Sequence, residues 1–175
     1  MARFIEIKLE KRGVTCVARM LDEMAPRTCA AVWDALPQGG DVYHAKYARN
    51  EIYTLVPAFA DPEPGRENST ITPIPGDVCY FSFESWQLAP TSHGYDAATD
   101  GTHGLDRVVD LALFYERNNL LLNPDFGFVP GNVFATIVEG LTDLAAASQD
   151  LWRTGVVGEH LSFTHLDRAS ASGSG

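Results

Sequence analysis

The sequence predicts a mainly β fold: a closed β-barrel of about eight strands with two capping α-helices. Three observations carry this. Short runs of alternating apolar and polar residues, bounded by Gly, Pro or Asn, recur along most of the chain. Only two stretches show helical spacing. A chain with this many short strands must close or cover its sheet edges, and a barrel does so most simply.

The elements follow in order. Phe4, Ile5, Ile7 and Leu9 interleave with Glu6, Lys8 and Glu10, and Lys11-Arg12-Gly13 turns the chain into Val14 to Met20, a β-hairpin. Pro26 suits a first helical turn, where its missing N–H is no loss. Cys29, Val32, Trp33 and Leu36 then mark one apolar helix face, ended by Pro37 and Gly39-Gly40. Val42 to Ala48 and Glu51 to Val56 read as two strands joined at Arg49-Asn50. Pro57 to Pro75 is a proline-rich loop. Val78 to Phe83 and Val108 to Tyr115 are strands of high β-propensity, separated by a long loop from about Gln87 to Leu105. Val133 to Val138 is a strand. Thr142 is the expected N-cap of a second helix reaching Trp152 or Arg153 and stopped by Gly155, and Glu159 to Leu166 is the last strand.

Composition bounds the function. A chain of 175 residues suits one domain, assigned to 1–168, with 169–175 as a Ser/Ala/Gly tail expected to be mobile. With 45% hydrophobic and 21% charged residues, general disorder, collagen and coiled coil are excluded. The net charge of −10 argues against a nucleic-acid partner, whose phosphates are bound mainly by clustered Lys and Arg. No run approaches the ~18 apolar residues of a membrane span, and the N-terminus lacks a secretory pattern. The expectation is a cytoplasmic protein without a membrane partner. Cys16, Cys29 and Cys79 are isolated and odd in number, as for buried reduced thiols.

Several separated phrases add a resemblance. Ala25-Pro26-Arg27-Thr28, Tyr43-His44 and Val133 through Gly140 are similar in order and wording to the cyclophilins. Ala25 to Ala31, His44-Ala45-Lys46-Tyr47 with Glu51, Glu67-Asn68-Ser69-Thr70, Pro75 to Val78 and Gly131-Asn132 through Gly140 resemble more closely a bacterial family of unknown function with a cyclophilin-like fold. The resemblance implies the cyclophilin-like barrel but brings no reaction with it.

Cyclophilins carry an arginine directly after the strand histidine, where it stabilises the twisted amide of the transition state; here Ala45 follows His44. Leu113 stands at the position of their substrate-holding glutamine, and Gly131 at that of a histidine. Prolyl isomerase activity is therefore not expected. Arg49 or Arg117 would replace the cation only after a backbone rearrangement.

Other chemistry is weighed residue by residue. His44 reads either as a histidine bonded within the barrel or as a pocket group paired with Glu51, which would raise the imidazole pKa and make a general acid or base. Tyr47, Tyr53, Tyr115 and Phe126 are core aromatics or the walls of an apolar cleft, and Asn132 is a ligand anchor or a turn stabiliser. His93 and His103 lie in the long acidic loop. His160 and His165 are five apart on one strand and so on opposite faces. No metal-ligand, phosphate-loop or nucleophile-elbow spacing occurs, so no metal or cofactor is expected. The expectation is a small-molecule or short-peptide binding domain with a cleft near these residues. The alternative is an enzyme, either prolyl-isomerase-like or acting on a small molecule through His44 and Glu51. A homodimer stays open, since barrels with exposed strands often pair.

Overall fold

Alternation along Phe4–Leu9 and Val14–Met20 builds β1 and β2, paired antiparallel from Phe4↔Arg19 to Leu9↔Val14. The turn between them places Gly13 at φ +64, left-handed backbone that glycine adopts without strain. The computed structural model describes residues 2–88 and 105–168. Helix α1 (Pro26–Ala35) follows β2, with Pro26 in its first turn as expected. Strands β3 (Gln38–His44), β4 (Glu51–Pro57), β5 (Ser69–Thr70) and β6 (Asp77–Glu84) come next, β6 running into a short 3-10 turn, Ser85–Leu88. The chain continues with β7 (Arg107–Phe114), β8 (Leu122–Asn123), β9 (Gly127–Phe128) and β10 (Gly131–Glu139). Helix α2 (Leu141–Thr154) and β11 (His160–Leu166) complete it.

Eight of the strands pair antiparallel in the order β2-β1-β11-β3-β4-β7-β6-β10, and β10 returns to β2, closing the barrel. The interior is filled from alternate positions of each wall, among them Ile5, Ile7, Ala18, Ile52, Leu111, Leu113 and Phe163. Cys29, Val32 and Leu36 of α1, and Leu144, Ala147 and Leu151 of α2, pack onto that same interior. All three cysteines are buried and unpaired, as expected. A second apolar cluster lies on the outside of the wall, where Cys79, Phe81, Phe83, Ala112, Phe114 and Val133 meet Ala48 and Leu121. A one-sided barrel would leave these positions polar. This outer layer is why β6 and β7 read as continuous apolar runs.

Three boundaries differ from the sequence expectation. β3 begins at Gln38 and stops at His44, whereas Val42 to Ala48 was expected. Gly39 and Gly40 belong to the strand because it passes so close to its neighbours. A Cβ at Gly39 would lie 2.8 Å from the Leu161 carbonyl oxygen, and one at Gly40 2.7 Å from Thr54 Oγ1. After His44 the Ala45 N–H closes onto the Glu51 carbonyl oxygen at 2.9 Å, and residues 45–50 become a connecting loop. Thr142 is not the N-cap of α2. Gly140 is, at φ +81, and a Cβ there would lie 2.6 Å from the Thr15 carbonyl oxygen. His93, His103 and the tail 169–175 lie outside the described residues.

Candidate functional site

Strand alternation sorts the expected site residues onto the two sides of the barrel wall. His44 is in register with Ile52, so its side chain shares the inward side of β3 and β4. Glu51, one residue earlier on β4, is in register with Phe114 and faces outward. The expected His44–Glu51 pair is therefore not formed. His44 pairs instead with Tyr115, its Nε2 lying 2.7 Å from the phenolic oxygen. Its Nδ1 is 3.1 Å from the Ala45 carbonyl oxygen, which can only accept. The proton of the neutral ring thus sits on Nδ1, and Tyr115 donates to Nε2. Burial pushes the His44 pKa below its usual value, with the Ala45 bond acting in the opposite sense. That is the reverse of what a carboxylate neighbour would do.

Asn132 uses its amide internally. Its Nδ2 donates to the Gly65 carbonyl at 2.6 Å and to Thr28 Oγ1 at 3.1 Å, and its Oδ1 accepts from the Glu67 N–H at 3.2 Å. Glu67 in turn accepts from the Thr28 N–H at 2.7 Å, the Thr28 hydroxyl at 2.9 Å and the Arg27 N–H at 3.1 Å. These donors open α1, whose N-cap residue, Ala25, makes no side-chain cap bond. Three of the family-like phrases, Ala25 to Thr28, Glu67 to Thr70 and Gly131-Asn132, are thereby tied into one clasp around the start of the helix.

The outward side of β4 and β7 carries the group that stands out physically. Glu51 and Asp110 are each 6% exposed. They line a shallow outward depression together with Ala45, Lys46, Tyr47, Tyr53, Phe83 and Leu88, its hollow measuring about 30 Å³. That is room for a water molecule or a head group of similar size. Among the described residues, Asp110 Oδ1 is buried without a hydrogen-bond partner. Desolvation pushes the Glu51 pKa up to about 8. Asp110 is likewise pushed well above the usual aspartate range by desolvation, and the charge of Glu51 raises it further. Tyr53 stacks on Tyr43 with ring centroids 5.5 Å apart, and the Tyr47 hydroxyl bonds to Asn123.

So the structure brings Glu51, Tyr47 and Tyr53 together and sets His44, Tyr115 and Asn132 apart from them. Phe126 packs against the outer apolar cluster and lies edge-on to Trp86 at 6.1 Å. The sequence reading missed Asp110, although a signal existed: it is the one charged residue within Val108-Val109-Asp110-Leu111-Ala112-Leu113-Phe114. Larger hollows occur elsewhere. One of about 190 Å³ is bordered by Glu63, Tyr80 and Asn132, and one of about 420 Å³ by Asp22 and Met24. Of their acids, Glu63 is partnered by the Tyr80 hydroxyl at 2.5 Å and by Arg107, and Asp22 by Arg3, while Glu23 at the larger hollow is exposed to solvent. Among the described residues, no group of three or more potential ligands could hold a metal ion.

The positions that differ from cyclophilins have physical reasons. A Cβ at Gly131 would lie 2.5 Å from the Phe81 ring, so that aromatic fills the space a side chain would take. Leu113 points into the barrel and is fully buried. The family model described as a protein of unknown function, DUF3830, matches residues 7–163. The chain belongs to this family. DUF3830 membership brings no assigned activity. Mitochondrial sulfite oxidase of Drosophila melanogaster is 37% identical over 81 residues, which are 43% of this chain, and the chain covers 14% of that protein's length. Among solved structures, McbB in complex with tryptophan is similar with a TM-score of 0.59 and 18% identity, over 96% of this chain and 46% of McbB. The hypothetical protein AF2241 from Archaeoglobus fulgidus is similar with a TM-score of 0.50 and 19% identity, over 94% of this chain and 95% of that one. At such identities the likeness is one of fold. Among the described residues, no helix is long and apolar enough to cross a membrane.

Proposed function

We propose that this DUF3830 barrel, cyclophilin-like in plan, binds a small molecule in the outward pocket floored by Glu51 and Asp110. The observation that carries this is Asp110, which lines a hollow walled by aromatic rings and whose Oδ1 is buried without a hydrogen-bond partner among the described residues. Buried polar groups are nearly always satisfied in folded proteins, and ligand sites combine apolar walls with a few placed polar anchors. The small hollow admits a head group, with the remainder of the ligand lying over Tyr47, Tyr53 and Leu88. In this reading Tyr47 and Tyr53, which line the pocket, would contact the ligand. Asn132, Phe126, Tyr115 and His44 act on it only through the scaffold.

The test is a fragment titration of the ¹⁵N-labelled full chain, with tryptophan included because McbB, a structural neighbour, was solved in complex with it. Binding at this site shifts the amides of Glu51, Tyr53 and Asp110. Shifts confined to the hollows beside Glu63 or Asp22 would overturn the assignment.

A second reading, an acid–base enzyme, draws support from the raised Glu51 pKa. A carboxyl that titrates near neutral pH suits proton transfer. In that reading Glu51 works with Asp110, and His44, on the other side of the wall, takes no part.

A further inference from the structure

We propose that the pocket takes the cationic head of an organic amine, with Asp110 Oδ1 and Glu51 accepting its N–H donors and Tyr53 and Phe83 flanking the adjoining carbon. This deepens the binding reading above and rests on it.

Each ligand class would act differently on the two acids. An anion brings no N–H or O–H donor and so leaves Asp110 Oδ1 without one. A neutral alcohol or amide supplies one donor but no charge. Calcium and magnesium prefer six or more oxygen ligands and zinc four, and the described residues offer no third His, Cys, Asp or Glu placed to share a metal with these two acids. An ammonium group brings three donors and a positive charge in the volume of a water molecule, which is what the hollow of about 30 Å³ admits. Its first carbons then meet aromatic faces, which attract a cation by their quadrupole.

The groups facing the two acids bear on the proton balance. Tyr47 and Cys79 both sense their charge, and burial holds each of these two in its neutral form. Tyr53 lines the same pocket, and Lys46, exposed at the rim, is the internal rival for the site. No ion pair links Lys46 to either acid among the described residues. With both acids favouring the protonated form, an arriving ammonium ionises one of them and expels its proton to solvent.

The experiment uses the full chain and three probes that share a phenyl ring: 2-phenylethylamine, 2-phenylethanol and 3-phenylpropanoate. Amide shifts locate binding, and calorimetry at pH 7 in two buffers of different ionisation enthalpy counts protons. The amine should bind about tenfold or more tighter than the alcohol, as a charge-assisted bond is stronger by that much, and should release a proton. The carboxylate should not bind. Asp110→Asn, nearly isosteric, should keep the folded spectrum and lose about tenfold or more in amine affinity. Glu51→Gln should weaken binding too, and Lys46→Met should leave it unchanged or tighten it. If the alcohol or the carboxylate binds at these amides as well as the amine does, the cation inference falls and the pocket stands. The same holds if calcium or zinc alone gives the same shifts, or if amine binding releases no proton. If none of the three probes shifts these amides, both inferences fall.

Discussion

Two pairs of acids in this molecule meet opposite fates. Glu159, 1% exposed, accepts from the backbone N–H groups of Lys11 at 2.8 Å, Arg12 at 3.1 Å and His160 at 3.0 Å, and from the Arg12 guanidinium at 3.1 Å. Glu67 is held by the donors at the start of α1 and by Arg27. Burial alone would raise both pKa values, yet the bonds outweigh it and hold both carboxyls below the usual range. Glu51 and Asp110 are buried without those donors, and desolvation pushes their pKa values up. Donors outweigh desolvation at buried Glu159 and half-buried Glu67, whereas at Glu51 and Asp110 desolvation goes unopposed.

The contrast is broken most severely at Glu159, which clamps the β1–β2 turn onto the start of β11. Glu159→Ala should cost about 3 kcal/mol or more, because it orphans several buried donors and Arg12 together. Urea unfolding measures it; a loss under about 1 kcal/mol would show that water replaces the carboxylate readily. The pH sign follows from the lowered folded pKa. The Glu159 contribution is fully present above its ordinary value of 4.5 and is lost as pH falls through the folded value. Next in size is Glu67→Ala, which uncaps α1. A lost cap costs about 1–2 kcal/mol, and amide exchange should rise in the first turn of α1 before it rises in β10.

Asp110→Asn should act with the opposite sign. Removing a buried, unpartnered carboxyl should stabilise the protein at alkaline pH, where Asp110 would otherwise have to ionise, by about 1–3 kcal/mol. In the wild type the raised acids make the folded state hold protons that the unfolded chain gives up. Stability is thus greatest below the ordinary carboxylate range and is lost as pH rises through the folded values, up to about 8 for Glu51. Each such group costs at most about 1.4 kcal/mol per pH unit over that window. Thermal melts from pH 5 to 9 should show the variant less sensitive to rising pH than the wild type. Equal slopes would mean that Asp110 is ionised and satisfied throughout.

The barrel was legible because its determinants are local. Alternation in β1 and β2, the spacing of Cys29, Val32 and Leu36 in α1, and the strand that follows Gly131 can all be read from neighbours in the chain. The boundaries that shifted are set by partners distant in sequence: Gly40 against Thr54, and Gly140 against Thr15. The site was half legible. Glu51, Tyr47 and Tyr53, all expected near one cleft, line one pocket, but the phase of β3 against β4, which sends His44 inward and Glu51 outward, is a register between strands and has no signature in either one. Asp110 was passed over because a lone acid in an apolar strand gains meaning only once a second acid is seen to share its pocket.

The smallest effect should come from the inward pair that the wall separates from the pocket. Tyr115→Phe removes the donor to His44 Nε2 and should cost about 1 kcal/mol, the net value of one hydrogen bond. Because burial already lowers the His44 pKa, the ring should titrate below its ordinary 6.5 in the wild type. In Tyr115→Phe the imidazole loses a bond made only by its neutral form, so protonation becomes easier and its pKa should rise. Histidine NMR titration resolves this directly. An unchanged His44 titration would mean that the Tyr115 hydroxyl takes its hydrogen bond elsewhere in solution. Amine affinity at the outward pocket should not move in this variant. If it does, the two sides of the wall are coupled, and the division between a structural pair inside and an open pair outside fails.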